Sequence, residues 1–330
     1  MLFFEDITTE EAKELIPERL YKYRLWSKPI HRSTITKRQV WFASPKSLQE
    51  MGDKDDCRHP IEWNWDFDKH RAIIDAGFPG DKSALSPDEY ERTLRQVHQS
   101  AVGTPDLQAQ YIEEYYKLTT KLIGVLSVSR RNDNIALWQS KLYAKNFRGF
   151  CVGYNFQECL YGLTHKHVGG ADIRYVKRDA SKIEHRSSRE ATGAYLAMHL
   201  EQVNRKFTEY KHEEEYRFIV RVYENGLDYE LTDEDRTFTV PPFCYKSVTF
   251  GFRMKQTAIS EIIQACGEEN LKVDFFMASP TLTGTVRLKP YKQPRTLAQK
   301  AAALTHRGKG YVISAINSFV SAARRIRKRP

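Results

Sequence analysis

The chain has 330 residues, 41% hydrophobic and 28% charged, which excludes a disordered polymer and predicts a packed core over most of its length. That length suits roughly two domains of ~150 residues, or one large domain with appendages. The net charge of +10 is segregated: from Phe275 onward there are twelve Lys or Arg and no Asp or Glu, leaving 40 bases against 42 acids before it. Such asymmetry points to a nucleic acid, an acidic partner or, less favoured, an anionic membrane surface as the tail's target.

The opening Met1-Leu-Phe-Phe-Glu-Asp has no basic n-region, and no apolar run approaches the ~18 residues of a spanning helix. Cys57, Cys151, Cys159, Cys244 and Cys266 are odd in number and lack CxxC spacing, so no disulfide framework is expected. A cytoplasmic, reducing location follows as the expectation.

In chain order, Thr8 with Glu11 predicts a capped helix ending near Pro17, and residues 20–25 and 39–44 read as strands rich in aromatic and β-branched residues. Residues 51–85 read as a loop crowded with Asp, His and Trp. Ser86-Pro87-Asp88-Glu89 and Thr104-Pro105-Asp106 each open a helix, giving a helical insert at about 61–122. Residues 123–129 form a buried-type strand, 135–145 a short helix and 150–154 the next strand. A helix boxed by Ser187 and Glu190 runs to about Phe207. Strands then dominate, at 216–223, 237–240, 247–251, 273–277 and 285–288, with one helix at 257–266. Strand and helix do not alternate strictly, so the fold class is α+β, with a mixed, largely antiparallel sheet. Residues 1–295 are expected as one domain and 296–330 as a basic helical tail. There, Val312, Ile316, Phe319, Val320, Ala323 and Ile326 share one face, and Arg324, Arg325, Arg327, Lys328 and Arg329 form the anion-binding end.

Several ordered blocks carry a family resemblance: Leu20-Tyr-Lys-Tyr-Arg, Val40-Trp-Phe-Ala-Ser-Pro45, Asp56-Cys57, residues 123–129, Leu137-Trp138 with Tyr143-Ala144, residues 149–153, Glu213-Glu-Glu-Tyr-Arg217 and residues 248–251. Over about residues 19–290 the chain resembles the bacterial family catalogued as domain of unknown function 2971. Two features depart from that family's pattern. Gly52-Asp53-Lys54 stands where it has Asn-Asp-Pro, and the gap between Trp138 and Tyr143 is longer.

The chemistry-bearing candidate is Glu213-Glu214-Glu215. If the following strand begins that early, Glu213 and Glu215 project on one side, where carboxylates can stabilise an oxocarbenium-like sugar centre. The pattern resembles the Glu-x-Glu of ADP-ribosyltransferases. That likeness implies NAD as cofactor, Glu215 and Glu213 as catalytic residues, and Arg24 (or Lys22) beside Tyr23 holding the dinucleotide. Ser127 or Ser129 would supply a hydroxyl, and Tyr143 an aromatic face for nicotinamide. A solvated strand entry with local ion pairs to Arg217 is the plain alternative.

Cys57, His59 and His70 with Asp53, Asp55 and Asp56 are ligand types without a standard metal spacing, like His165 and His167, and no metal is expected. No Gly-x-Ser-x-Gly elbow, P-loop or dinucleotide glycine fingerprint occurs. From Lys22 to Arg38 seven bases or histidines occur without an acid, among or beside Tyr21, Tyr23, Trp26 and Trp41, which makes phosphate contact and base stacking available, although strand alternation makes those aromatics core by default. The functional expectation is an NAD-dependent, ADP-ribosyltransferase-like effector, toxin or defence protein. The rivals are a non-enzymatic nucleic-acid-binding module and a partner-docking scaffold.

Overall fold

The computed structural model describes residues 2–3, 9–51, 54–76, 81–159, 168–180, 182–184, 191–224 and 227–292. Met1–Pro290 forms one compact unit and Tyr291–Pro330 a second. The expected tail helix, Arg324, Arg325, Arg327, Lys328 and Arg329 lie outside the described residues, as do Asp53, His165, His167, Ser187 and Glu190.

The body is built on one sheet of nine strands: β1 (Leu2–Phe3), β2 (Leu20–Arg24), β3 (Gly124–Ser129), β4 (Phe150–Tyr154), β5 (Val168–Asp172), β6 (Glu215–Val220), β7 (Tyr245–Gly251), β8 (Asp274–Pro280) and β9 (Val286–Pro290). Their spatial order is β1-β5-β6-β3-β2-β4-β7-β8-β9. Only the β7–β8 pair is parallel, so the sheet is mixed and mostly antiparallel, as the irregular alternation of strands and helices predicts. The central strands β3, β4 and β6 are almost wholly buried, which explains their continuous apolar runs in place of alternation.

The two helices expected from Ser86 and Thr104 are present. Pro87–Val102 starts with a complete capping box between Ser86 and Glu89, and Pro105–Leu122 is capped by Thr104. The reading of 51–85 as loop is corrected: Phe67–Ala76 is a helix that packs on Pro87–Val102. Pro29–Thr36, a second helix missed in the sequence, has Pro at its first position but two β-branched isoleucines and four other weak helix formers. The expected helix to Lys145 stops at Gln139, and Lys145, Asn146 and Phe147 all take left-handed φ values of 47°, 56° and 61°. The helix expected to end near Phe207 stops at Val203, because Arg205–Phe207 pairs in parallel with Arg174–Val176. Strand β5 was hidden by its Gly169-Gly170 pair, a poor strand signal.

No disulfide framework was expected; Cys159 and Cys244 are joined as a single disulfide, while Cys57, Cys151 and Cys266 are free and buried. Tyr23 and Trp26, within reach of base stacking in the sequence but read there as core by default, are core, and the Trp26 indole donates to Glu261 at 2.6 Å. Among the described residues no helix is long and apolar enough to cross a membrane.

Candidate active site

The sheet splits near its middle. Strands β2 and β3 pair at a single position, Tyr21 opposite Ser129, and beyond it Ala43 takes over the edge of β3 by exchanging two 2.8 Å bonds with Val125. A split sheet leaves backbone groups and side chains facing a gap instead of a neighbouring strand. The gap is lined by Tyr21, Lys22, Tyr23, Ser127, Val128, Ser129, Leu137, Tyr143, Glu213 and Glu215, around a cavity of about 30 Å³. That is room for one or two water molecules.

Glu213 and Glu215 reach this cavity for a different reason from the one expected. Strand β6 begins at Glu215, and Glu213 ends a 3₁₀ turn spanning Thr208–Glu213. Between them Glu214 is left-handed, with φ 46° and ψ 54°. The kink therefore does what strand alternation was expected to do, and it sends Glu214 outward to pair with Arg131 at 3.2 Å. The solvated-entry alternative fails for the two flanking carboxylates, since Glu213 and Glu215 are both buried.

Their charges are held in a network whose members come from distant parts of the chain. Lys206 Nζ donates to Glu213 at 2.7 Å and Glu215 at 3.2 Å, with Asp56 4.0 Å away. Arg217, fully buried, donates to Glu215 at 2.7 Å and to both Asp56 oxygens at 2.8 and 2.7 Å. It also reaches the Val203 carbonyl at 2.6 Å and the Cys57 sulfur at 3.4 Å. The register places Glu215 opposite Ser129 and Arg217 opposite Ser127, so the charged pair stands over the serine strand. Ser129 in turn donates to the Glu213 carbonyl at 2.9 Å, which ties β3 to the turn.

The two carboxyls are driven apart electrically. Burial raises Glu213, and its Lys206 contact does not cancel the rise; its Oε1 accepts a 3.2 Å bond from the Tyr143 hydroxyl. Burial also opposes the charge of Glu215, but Arg217 and Lys206 outweigh it and hold that carboxyl far below the usual range. Neighbouring carboxyls pushed in opposite directions are the arrangement from which one acts as proton carrier and the other as fixed anion. Tyr143 itself is pushed well up by burial, so it stays a neutral donor.

Most of the expected site is thus gathered in one place: Glu213, Glu215, Tyr23, Ser127, Ser129 and Tyr143 all line the cavity. Arg24 is the exception. It is paired opposite Phe150 on β4, one residue beyond the cavity wall, and burial lowers its guanidinium to about 10. Lys22, named with it, is the cation at the cavity. The Tyr23 hydroxyl does not face solvent but donates to the Arg131 carbonyl at 2.8 Å. Lys206 and Asp56 went unassigned in the sequence; Lys206 had no signal, whereas Asp56 sat in a recognised block without a partner.

The metal candidates disperse. Cys57 points to Arg217, His59 is packed edge-on to Phe207, and His70 faces His98 at 3.2 Å. Among the described residues no group of three ligand side chains converges. Comparisons with family models, curated proteins and solved structures gave no match for this chain.

Proposed function

We propose that the cavity in the split sheet is the active site of an enzyme that breaks the N-glycosidic bond of NAD and transfers or hydrolyses the ribosyl group, in the manner of ADP-ribosyltransferases. The supporting observation is the convergence of Glu213, Glu215, Ser127, Ser129 and Tyr143, from three separate segments, on one cavity. Breaking that bond leaves positive charge on the sugar carbon, and a permanently ionised Glu215 stabilises it. Glu213, raised and hydrogen-bonded to Tyr143, takes the proton from the attacking hydroxyl. Tyr143 covers the nicotinamide ring, and Ser127 and Ser129 meet the ribose hydroxyls. The dinucleotide is far larger than the cavity, so this reading requires Tyr143 and its turn to swing outward on binding.

Purified protein should consume NAD, release nicotinamide and, with an acceptor present, become or produce an ADP-ribosylated species detectable by mass spectrometry. Glu215→Gln should lower that rate at least ~100-fold, the scale of losing one preorganised electrostatic contact. Wild-type protein that neither consumes nor binds NAD overturns the proposal.

The segregated charge supports a second reading, in which the chain binds nucleic acid through its C-terminal tail. Replacing Arg324, Arg325, Arg327, Lys328 and Arg329 with Ala in the full chain should flatten the salt dependence of binding to RNA or DNA by up to about 0.7–0.9 per lost phosphate contact. An unchanged slope removes the tail from that role.

A further inference from the structure

Lys22 is an ammonium in an unusual setting. It leaves β2 where that strand parts from β3, and its Nζ donates to the backbone carbonyl of Ser127 across the gap. Its pairing partner on the other side is Val152, deep in the apolar sheet. Despite that depth it is only half-buried and lines the cavity, so it can be reached from there. Among the described residues its one hydrogen bond is to a neutral oxygen, and no carboxylate comes within ion-pair distance of it. By contrast, Lys206 nearby is held by Glu213 and Glu215.

A cation kept out of water without a counter-ion is expensive, and the group relieves the cost by giving up its proton. Burial first, and then the Arg24 charge, push Lys22 well below its ordinary value of 10.5, while Glu215 and Glu213 pull less strongly the other way and Arg217 adds to the fall. A neutral lysine amine lining a cavity is a nucleophile. Here it stands beside a carboxyl, Glu213, that burial equips to carry a proton.

We infer that Lys22 is an imine-forming nucleophile for the carbonyl of a small aldehyde entering the split of the sheet. The amine lone pair forms the C–N bond as the carbonyl π pair moves to oxygen. Glu213 protonates that oxygen, and the nitrogen loses one proton to the same carboxylate. The carbinolamine then expels hydroxide, which leaves as water with the Glu213 proton, and the nitrogen pair completes C=N. Amine, carbonyl and one Glu213 proton thus become iminium, water and the Glu213 carboxylate; the iminium returns its nitrogen proton to Glu213 to give the imine, and no oxidant or reductant is involved. This activity does not depend on the NAD reading, since it needs neither the dinucleotide nor a glycosidic bond.

The test uses the full wild-type chain, glycolaldehyde as the carbonyl probe and cyanoborohydride to reduce any imine to a stable amine, with peptide mass spectrometry locating adducts. At pH 6.5 Lys22 should be labelled at least tenfold faster than the median of the other lysines. The ratio should fall toward one by pH 9.5, as surface amines lose their protons too. Lys22→Met, which keeps the apolar stem, should remove that adduct and no other. Labelling of Lys22 at or below the median at pH 6.5, or a ratio that does not change with pH, overturns the inference whether or not NAD is consumed.

Discussion

Arg217→Met is the most direct test of the charge network. The guanidinium is wholly buried and makes four short contacts, to Asp56 at 2.8 and 2.7 Å, to Glu215 at 2.7 Å and to the Val203 carbonyl at 2.6 Å. Met restores much of the volume but leaves two buried carboxylates without that partner. Breaking a buried ion pair from one side costs about 3–5 kcal/mol. At about 2 °C per kcal/mol for a chain of this size, the melting temperature should fall by about 6–10 °C. The deficit has a pH signature. The folded carboxyl of Glu215 lies far below its ordinary 4.5, so its stabilisation is present above pH 4.5 and is lost as pH falls toward the folded value. The gap between wild type and variant should therefore be constant from pH 8 to about 5 and narrow below pH 4.5. Adding Asp56→Asn removes one of the stranded charges, so the double variant should be at least as stable as Arg217→Met alone. Urea denaturation followed by circular dichroism measures all three. A loss under ~1 kcal/mol, or a gap unchanged down to pH 3.5, refutes the reasoning.

Two other outcomes concern the insert. His199 is buried, stacked on Tyr115 with ring centroids 4.4 Å apart, and burial holds its imidazole at about 3. The unfolded chain takes up this proton below its ordinary 6.5 and the folded chain does not, so stability falls as pH drops through 6.5. This group alone should remove about 2 kcal/mol between pH 8 and pH 5, and His199→Phe should flatten that part of the stability curve. Ser86→Ala deletes the capping box of Pro87–Val102 and should cost about 1 kcal/mol in urea denaturation, whereas Ser86→Asp should restore most of it. At the cavity wall, a Cβ at Gly153 would come within 2.9 Å of the Tyr21 ring and 2.4 Å of Ser247 Oγ. Gly153→Ala should therefore cost about 1–3 kcal/mol and displace Tyr21, read as lost stability together with faster labelling of Lys22 as the gap opens.

The parts of this fold that were legible in the sequence are those specified by neighbours in the chain. Ser86-Pro87-Asp88-Glu89 announces its helix because both hydrogen bonds of the box close within four residues. Strands β3, β4 and β6 announce themselves by unbroken apolar runs. What was not legible depends on pairing across distance. Ser140 and the left-handed run that follows end a helix whose apolar pattern continues, because Phe147 stacks on Trp138 at 5.4 Å and its amide bonds the Trp138 carbonyl. Nothing local in Asp56 or Lys206 says that they meet Arg217 and Glu215. Glu213 and Glu215 were recognised as a pair, but through a strand that does not extend that far. Their convergence rests on Glu214 adopting a conformation that its type resists.

That resistance bears on function. Left-handed conformation costs a non-glycine residue roughly 1–2 kcal/mol. Arg38 and Asn270 follow the ends of helices, where it is the ordinary way to satisfy the last carbonyls. Among the described residues the others adjoin groups that line the cavity or their charge partners: Cys57 beside Asp56 and Arg217, Glu214 between the two carboxylates, and Lys145 to Phe147 in the turn that carries Tyr143. To this strain the body adds Asp56, Lys206, Glu213, Glu215 and Arg217, all buried where apolar residues of equal volume would fold at least as stably. Packing alone does not account for strain and buried charge meeting at one split in an otherwise continuous sheet. Both are accounted for if the split must hold carboxylates at opposed proton affinities beside a reachable amine.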